Sequence, residues 1–146
     1  MPVVKGCNLP DDLLYDVDNN IWFKEMGDGT VRLGMTAVAT AMAGQLVAFT
    51  PKKAGKAIDA GKSCATVESG KWVGPAKSAA GGEVVEVNKA LVDTPKLAND
   101  DPYGKGWMIL LKPADWDGVK GGLTKGADVA AKYEAKMAAD GFNGCS

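Results

Sequence analysis

Residues 67–73, Val67-Glu68-Ser69-Gly70-Lys71-Trp72-Val73, set a turn dipeptide between two strand-like runs. Strands joined by so short a link form a β-hairpin, and the residue types at its tip favour a tight turn. The pattern therefore puts Lys71 at an exposed hairpin tip with its amine open to reaction. A lysine acylated there carries its passenger on a long flexible tether, which raises the passenger's effective concentration at any active site within reach.

Outward from this hairpin the chain is built of short strand-like runs punctuated by Gly, Pro and Lys. Leu46-Val47-Ala48-Phe49 and Cys64-Ala65-Thr66-Val67-Glu68 precede the tip, and Glu83-Val84-Val85-Glu86-Val87 follows it. Trp107 to Lys112 adds another run, which Pro113 stops. Farther upstream, Ile21–Met26 and Val31–Met35 flank Gly27-Asp28-Gly29-Thr30, where Asp-Gly marks a second hairpin. Runs this short predict a sandwich or barrel, not a parallel α/β sheet.

Helical signals are few. Asn8 to Tyr15 supports at most a short helical turn, and the alanine-rich Thr36–Met42 predicts a short helix ended by a left-handed cap at Gly44. From Ala127 to Ala139, Val129, Tyr133 and Met137 recur at steps of four along one helical stripe, with Gly141 placed to cap the end. The expected fold is mainly β, with short N-terminal helical turns and a C-terminal amphipathic helix, in one domain over residues 1–146.

Composition narrows the function. With 46% hydrophobic and 24% charged residues the chain lies far from the signature of disorder, and 146 residues suffice to bury a core without metals. Lys+Arg 17 against Asp+Glu 18 leaves no cationic excess for nucleic acid. Histidine is absent, which removes the commonest general base and metal ligand and argues against triad hydrolysis. No residue cluster offers nucleophile, base and oxyanion donors together, so a carrier or binder is expected instead of an enzyme. The N-terminus has no basic segment followed by an apolar stretch, and no run approaches the roughly 20 apolar residues of a membrane span. A cytoplasmic chain is the expectation.

Several segments, in order, resemble the glycine-cleavage H-protein family of lipoyl carriers. They are Leu9-Pro10-Asp11-Asp12-Leu13-Leu14-Tyr15, Ile21-Trp22, Leu33-Gly34-Met35-Thr36, Glu68-Ser69-Gly70-Lys71, Gly82 to Asn88, Pro95 to Asn99 and Asp101 to Trp107. The resemblance implies a barrel-sandwich hybrid, with lipoic acid in amide linkage on Lys71. It implies that Glu68, with Ser69 and Gly70, presents the hairpin to a lipoate ligase or lipoyl transferase, and that Gly55 and Gly82 are framework glycines. Dihydrolipoamide dehydrogenase is a further implied partner, and a monomer the default state. Biotin carriers share the implied fold, but their lysine typically lies between methionines, whereas Gly70 and Trp72 flank Lys71 here.

The match departs from the family around the arm. Trp72-Val73-Gly74-Pro75-Ala76-Lys77 stands where small, then acidic and aromatic residues are usual, and Asn20 stands where a histidine is common. Interface residues select partners, so a changed surface implies a changed client. In this the chain resembles the lipoate-binding proteins of heterodisulfide-reductase-like sulfur oxidation, which implies a sulfur-carrying arm and a heterodisulfide-reductase-like partner complex. The alternative is a glycine-cleavage carrier of aminomethyl groups. A module of the same fold with Lys71 unmodified is a third class, which no residue favours. Trp72 either docks the arm or merely packs, while Trp22, Trp107 and Trp116 are assigned to the core or its edge.

Cys64 is expected as a small core residue, and paired-cysteine metal spacing is missing. If the first strands and the last helix pack on one body, as in H-like folds, Cys7 and Cys145 approach each other and can pair. A reducing cytoplasm favours two free thiols.

Overall fold

The alternation of inward and outward side chains sorts the strands into two main sheets and a small terminal ribbon. The computed structural model describes residues 3–4, 6–142 and 144–145. Its strands begin with β1 (Val3–Val4), β2 (Cys7–Asn8), β3 (Leu14–Asp16), β4 (Ile21–Glu25), β5 (Val31–Met35) and β6 (Leu46–Pro51). They continue with β7 (Ala57–Ile58), β8 (Lys62–Ser69), β9 (Val73–Ser78), β10 (Gly82–Val87), β11 (Ile109–Pro113) and β12 (Thr124–Lys125). The helices are α1 (Ala37–Ala43), α2 (Lys89–Asp93), α3 (Leu97–Asp100), α4 (Trp116–Lys120) and α5 (Val129–Asp140).

The larger sheet has seven strands in the order β12-β3-β4-β5-β11-β10-β7, and the smaller has three in the order β6-β8-β9. Paired strands run antiparallel in both. One core fills the space between the sheets: Ile21, Phe23, Leu33, Val84 and Leu111 meet Leu46, Phe49, Cys64, Val67 and Ala76. A second lies on the far face of β4, where Tyr15 and Trp22 pack against Val129, Tyr133 and Met137 of α5. Successive residues of a strand point to opposite faces, so Ile21, Trp22 and Phe23 are all buried because both faces of β4 are covered there.

Trp22 explains a glycine. It is paired with Gly34 across β4 and β5, and a Cβ on Gly34 would stand 2.9 Å from the indole. The indole N–H donates to the Pro102 carbonyl at 2.9 Å, satisfying its one polar atom. Truncating so large a buried side chain costs about 3–5 kcal/mol.

The mainly β architecture and C-terminal helix agree with the sequence reading, and the stripe Val129, Tyr133 and Met137 is the buried face of α5. Gly141 caps it at φ 68°, ψ 23°, in the left-handed region. Three local readings are corrected. Asn8–Tyr15 makes no helical turn of its own: a turn at 11–12 leads into β3, because Leu14 and Tyr15 find strand partners in β4 and β12. Gly44 ends α1 at φ 86° but ψ −172°, an extended glycine conformation instead of the left-handed cap, since the chain must turn directly into β6. The last helix begins with a 3₁₀ turn, Gly126–Asp128, where a Cβ on Gly126 would strike the backbone of Asp11.

Cys7 and Cys145 form a disulfide, with Cα atoms 4.9 Å apart, which corrects the expectation of two free thiols: the terminal ribbon and the end of the chain pack on one body and bring the two cysteines together. Cys64 is fully buried as expected, and burial pushes its thiol up to about 12, so it stays protonated and inert at neutral pH.

Candidate functional site

β8 and β9 form the hairpin read from residues 67–73, with Glu68 paired to Val73 and a two-residue tip of Gly70 and Lys71. The Ser69 N–H donates to the Trp72 carbonyl at 2.7 Å, and the Lys71 N–H donates to the Ser69 hydroxyl at 3.3 Å. Ser69 is buried and holds the turn together from inside, whereas Glu68, Gly70, Lys71 and Trp72 are exposed. Gly70 is absent from the positive-φ residues, and a Cβ there would meet nothing within 4 Å. Its value is the open space it leaves beside Lys71, not an unusual backbone.

Lys71 does not stand free. Its methylene stem crosses Gly44, with Cε 3.2 Å and Nζ 3.9 Å from where a Cβ on that glycine would sit. From this root a groove of about 540 Å³ opens between the free edge of β9 and the turn joining β3 to β4. Ile21, Met35, Ala39, Ala43, Val67 and Ala76 supply apolar surface, and Met42, Trp72 and Pro75 form exposed walls. Asp18, Asn19, Asn20 and Lys77 are the polar lining besides Lys71. Asn20 adopts φ 58°, a left-handed conformation that asparagine tolerates better than most residues. The volume lies within the range of small-molecule sites, and the lining combines nine apolar residues with five polar or charged ones.

Trp72 is folded back over Gly74, whose missing side chain admits the indole. Gly55 and Gly82 are elsewhere. The Gly55 N–H donates to the Val84 carbonyl at 2.7 Å, and Gly82 pairs with Ile58 and Pro113, at φ 152°, where a Cβ would strike the Lys112 carbonyl. Both shape the β7–β10 corner, and neither lines the groove. Sequence reasoning missed Gly44 as part of the site, treating it only as a helix end, and missed Asp18, Asn19, Met35 and Met42. The available signal was weak: these residues become neighbours of Lys71 only through sheet packing. No group of His, Cys, Asp and Glu suited to a metal occurs among the described residues.

A family model described as "Glycine cleavage H-protein" matches residues 13–136. The chain belongs to that family. H proteins are lipoyl carriers and not enzymes, and they carry lipoic acid covalently on a lysine. Among relatives, the chain is 58% identical over 119 residues to "Glycine cleavage system H protein 5" of Aquifex aeolicus, spanning 79% of this chain and 80% of that one. It is 42% identical over 139 residues to "Glycine cleavage system H protein 2" of the same organism, spanning 95% and 86%. The crystal structure of a glycine cleavage system H protein from Mycobacterium marinum superposes with a TM-score of 0.75 at 34% identity, covering 88% of this chain and 98% of that one. The H-protein barrel-sandwich is thus the fold of this chain. Among the described residues, no helix is long and apolar enough to cross a membrane.

Proposed function

We propose that the lipoyl group of this carrier is attached to Nζ of Lys71. The observation that carries the reading is the placement of Lys71: an exposed hairpin tip whose lysine stem lies over Gly44 at the mouth of a groove with apolar and polar walls. When bound, lipoate supplies a dithiol/disulfide pair able to exchange sulfur or accept a group by thiolate attack. The chain's own residues supply the rest. Ser69 fixes the turn, Gly70 leaves access for a lipoate ligase or lipoyl transferase, and Glu68 offers that enzyme a carboxylate on the exposed face of β8. Acylation removes the charge of Lys71, which suits the arm to the apolar lining beside it.

For the cargo we favour sulfur species exchanged with a heterodisulfide-reductase-like complex. The groove offers sulfur the surfaces it prefers, the thioethers of Met35 and Met42 and the indole of Trp72. An aminomethyl cargo is cationic, and among the described residues of the lining Asp18 is the one carboxylate against the two cations Lys71 and Lys77. Three numbered H proteins in one Aquifex species fit a family whose copies have separate clients. The second reading, an aminomethyl carrier for glycine cleavage, is favoured by the names of the relatives. Dihydrolipoamide dehydrogenase suits either reading as the enzyme that resets the arm.

Peptide mass spectra of protein from its host should show one lipoyl group, on Lys71, and none in Lys71→Arg. An unmodified Lys71 overturns the attachment site. Glycine decarboxylation with the lipoylated chain as sole carrier separates the cargoes: turnover matching a glycine-cleavage H protein overturns the sulfur reading.

A further inference from the structure

The link from α1 to β6 is only Gly44 and Gln45, and one side chain fastens it. Asn99, on α3, accepts the Leu46 N–H through Oδ1 at 2.9 Å and donates through Nδ2 to the Gly44 carbonyl at 2.9 Å and the Thr40 carbonyl at 3.4 Å. These groups bracket Gly44, which by itself has the widest conformational freedom of any residue. Without Asn99, the Leu46 N–H and the Gly44 carbonyl lose these hydrogen bonds; the Gly44 N–H keeps its bond to the Thr40 carbonyl at 2.9 Å, but the carbonyl side of the glycine, at φ 86°, is then unfastened. The opposite end of α1 is gripped by the same stretch of chain. The Tyr103 hydroxyl accepts the Ala37 N–H at 2.9 Å and donates to the Asn8 carbonyl at 2.5 Å. Residues 99–103 therefore strap both ends of the helix that contributes Ala39, Met42 and Ala43 to the groove.

Gly44 is also the residue under Lys71. The stem contact is made of methylene groups, and Lys71 takes part in no ion pair among the described residues. Such a contact is set by shape alone: it exists while the Gly44 backbone presents its bare face to the hairpin, and it disappears if that backbone rotates.

We propose that Asn99 is the positioning residue of the arm. By fixing Gly44 it lays the root of Lys71 along α1, so that whatever Nζ carries is delivered into the groove instead of sweeping solvent. The proposal rests on Lys71 as the attachment lysine. It explains why an asparagine is used: the position must accept from one backbone group and donate to others. Aspartate, of the same shape, can only accept.

The test uses the full chain with [13Cε]lysine, lipoylated in vitro, as wild type, Asn99→Asp, Asn99→Ala and the exposed control Lys96→Ala. In wild type and control, a nuclear Overhauser effect is expected between the Lys71 ε-protons and the Gly44 α-protons. It should weaken in Asn99→Asp and vanish in Asn99→Ala. After enzymatic reduction of the arm, iodoacetamide should alkylate its thiols several-fold faster in both Asn99 variants, as read by intact mass. If Asn99→Ala does not fold, Asn99→Asp carries the test. An unchanged Overhauser effect and alkylation rate, with only a lower melting temperature, would reduce Asn99 to a structural residue and overturn the proposal. Failure of the attachment reading is separately visible as a missing lipoyl mass on wild-type Lys71, and the Overhauser measurement on the unmodified lysine then still decides the Asn99–Gly44–Lys71 contact.

Discussion

The indole of Trp72 lies over Gly74 so closely that a Cβ added there would stand 2.9 Å from Cε2. Gly74 has no positive φ, so only this contact forbids a side chain. Gly74→Ala should swing the indole outward and remove one wall of the groove. Trp72 is already 42% exposed, so the stability change should stay within about 0.5–1 kcal/mol. Tryptophan emission should shift to longer wavelength relative to wild type. The shift should be absent when Gly74→Ala is made in a Trp72→Phe background.

The Cys7–Cys145 bridge spans a sequence separation of 138 residues. In the chain-entropy model, closing so long a loop contributes on the order of 5 kcal/mol, an upper figure for measured bridges. Cys7→Ser should lower the denaturant midpoint by a large fraction of total stability, and the Cys7→Ser/Cys145→Ser double variant should match it. A midpoint equal to wild type would show that the bridge does not form in solution.

Cys64 should be silent toward Ellman's reagent in the native protein, because it is fully buried and its thiol is pushed up to about 12. Unfolding without reductant should reveal one thiol, and unfolding after reduction should reveal three, the number of cysteines in the chain. Three thiols without reduction would remove the bridge, whereas one in the native state would contradict the burial of Cys64.

Glu25 gives the fold a weak acid sensitivity. Its carboxylate accepts the Trp116 indole N–H and the Lys120 ammonium, each at 3.0 Å, and these hydrogen bonds hold it below the ordinary value of 4.5. A depressed folded value stabilises above the unfolded value, and the gain is lost as pH falls through the folded one. The pair is solvent-exposed, so screening keeps the effect under about 1 kcal/mol. Glu25→Gln should be slightly less stable than wild type at neutral pH, and the gap should narrow and close as pH falls below the ordinary carboxylate range and through the lowered folded value.

What was legible in the sequence was local. The hairpin of β4 and β5 announces itself in Gly27-Asp28-Gly29-Thr30, with Gly27 at φ 84° and Gly29 at φ 89°, and α5 in its four-residue stripe. The Lys71 hairpin was readable for the same reason. β3 was not, because three residues carry no period and its partners lie in β4 and β12. The short helix α4 is held by contacts such as Trp116 to Glu25, 91 residues apart, which no window of sequence contains. The groove was illegible as a whole: its lining comes from residues 18–21, 35–43 and 67–77, joined only by sheet packing.

The edges of the two main sheets have a consequence for encounters between copies of the chain. A carrier that visits several enzymes must meet its own copies constantly without sticking to them. β7 and β12, the outer strands of the large sheet, are each two residues long. β9 and β6, the outer strands of the small one, are interrupted by Pro75 and by an irregularity at Val47 followed by Pro51. None of these edges presents a long, regular row of donors and acceptors on which a second copy could zip. The same edge of β9 that borders the groove beside Lys71 is thereby poor ground for fibre growth.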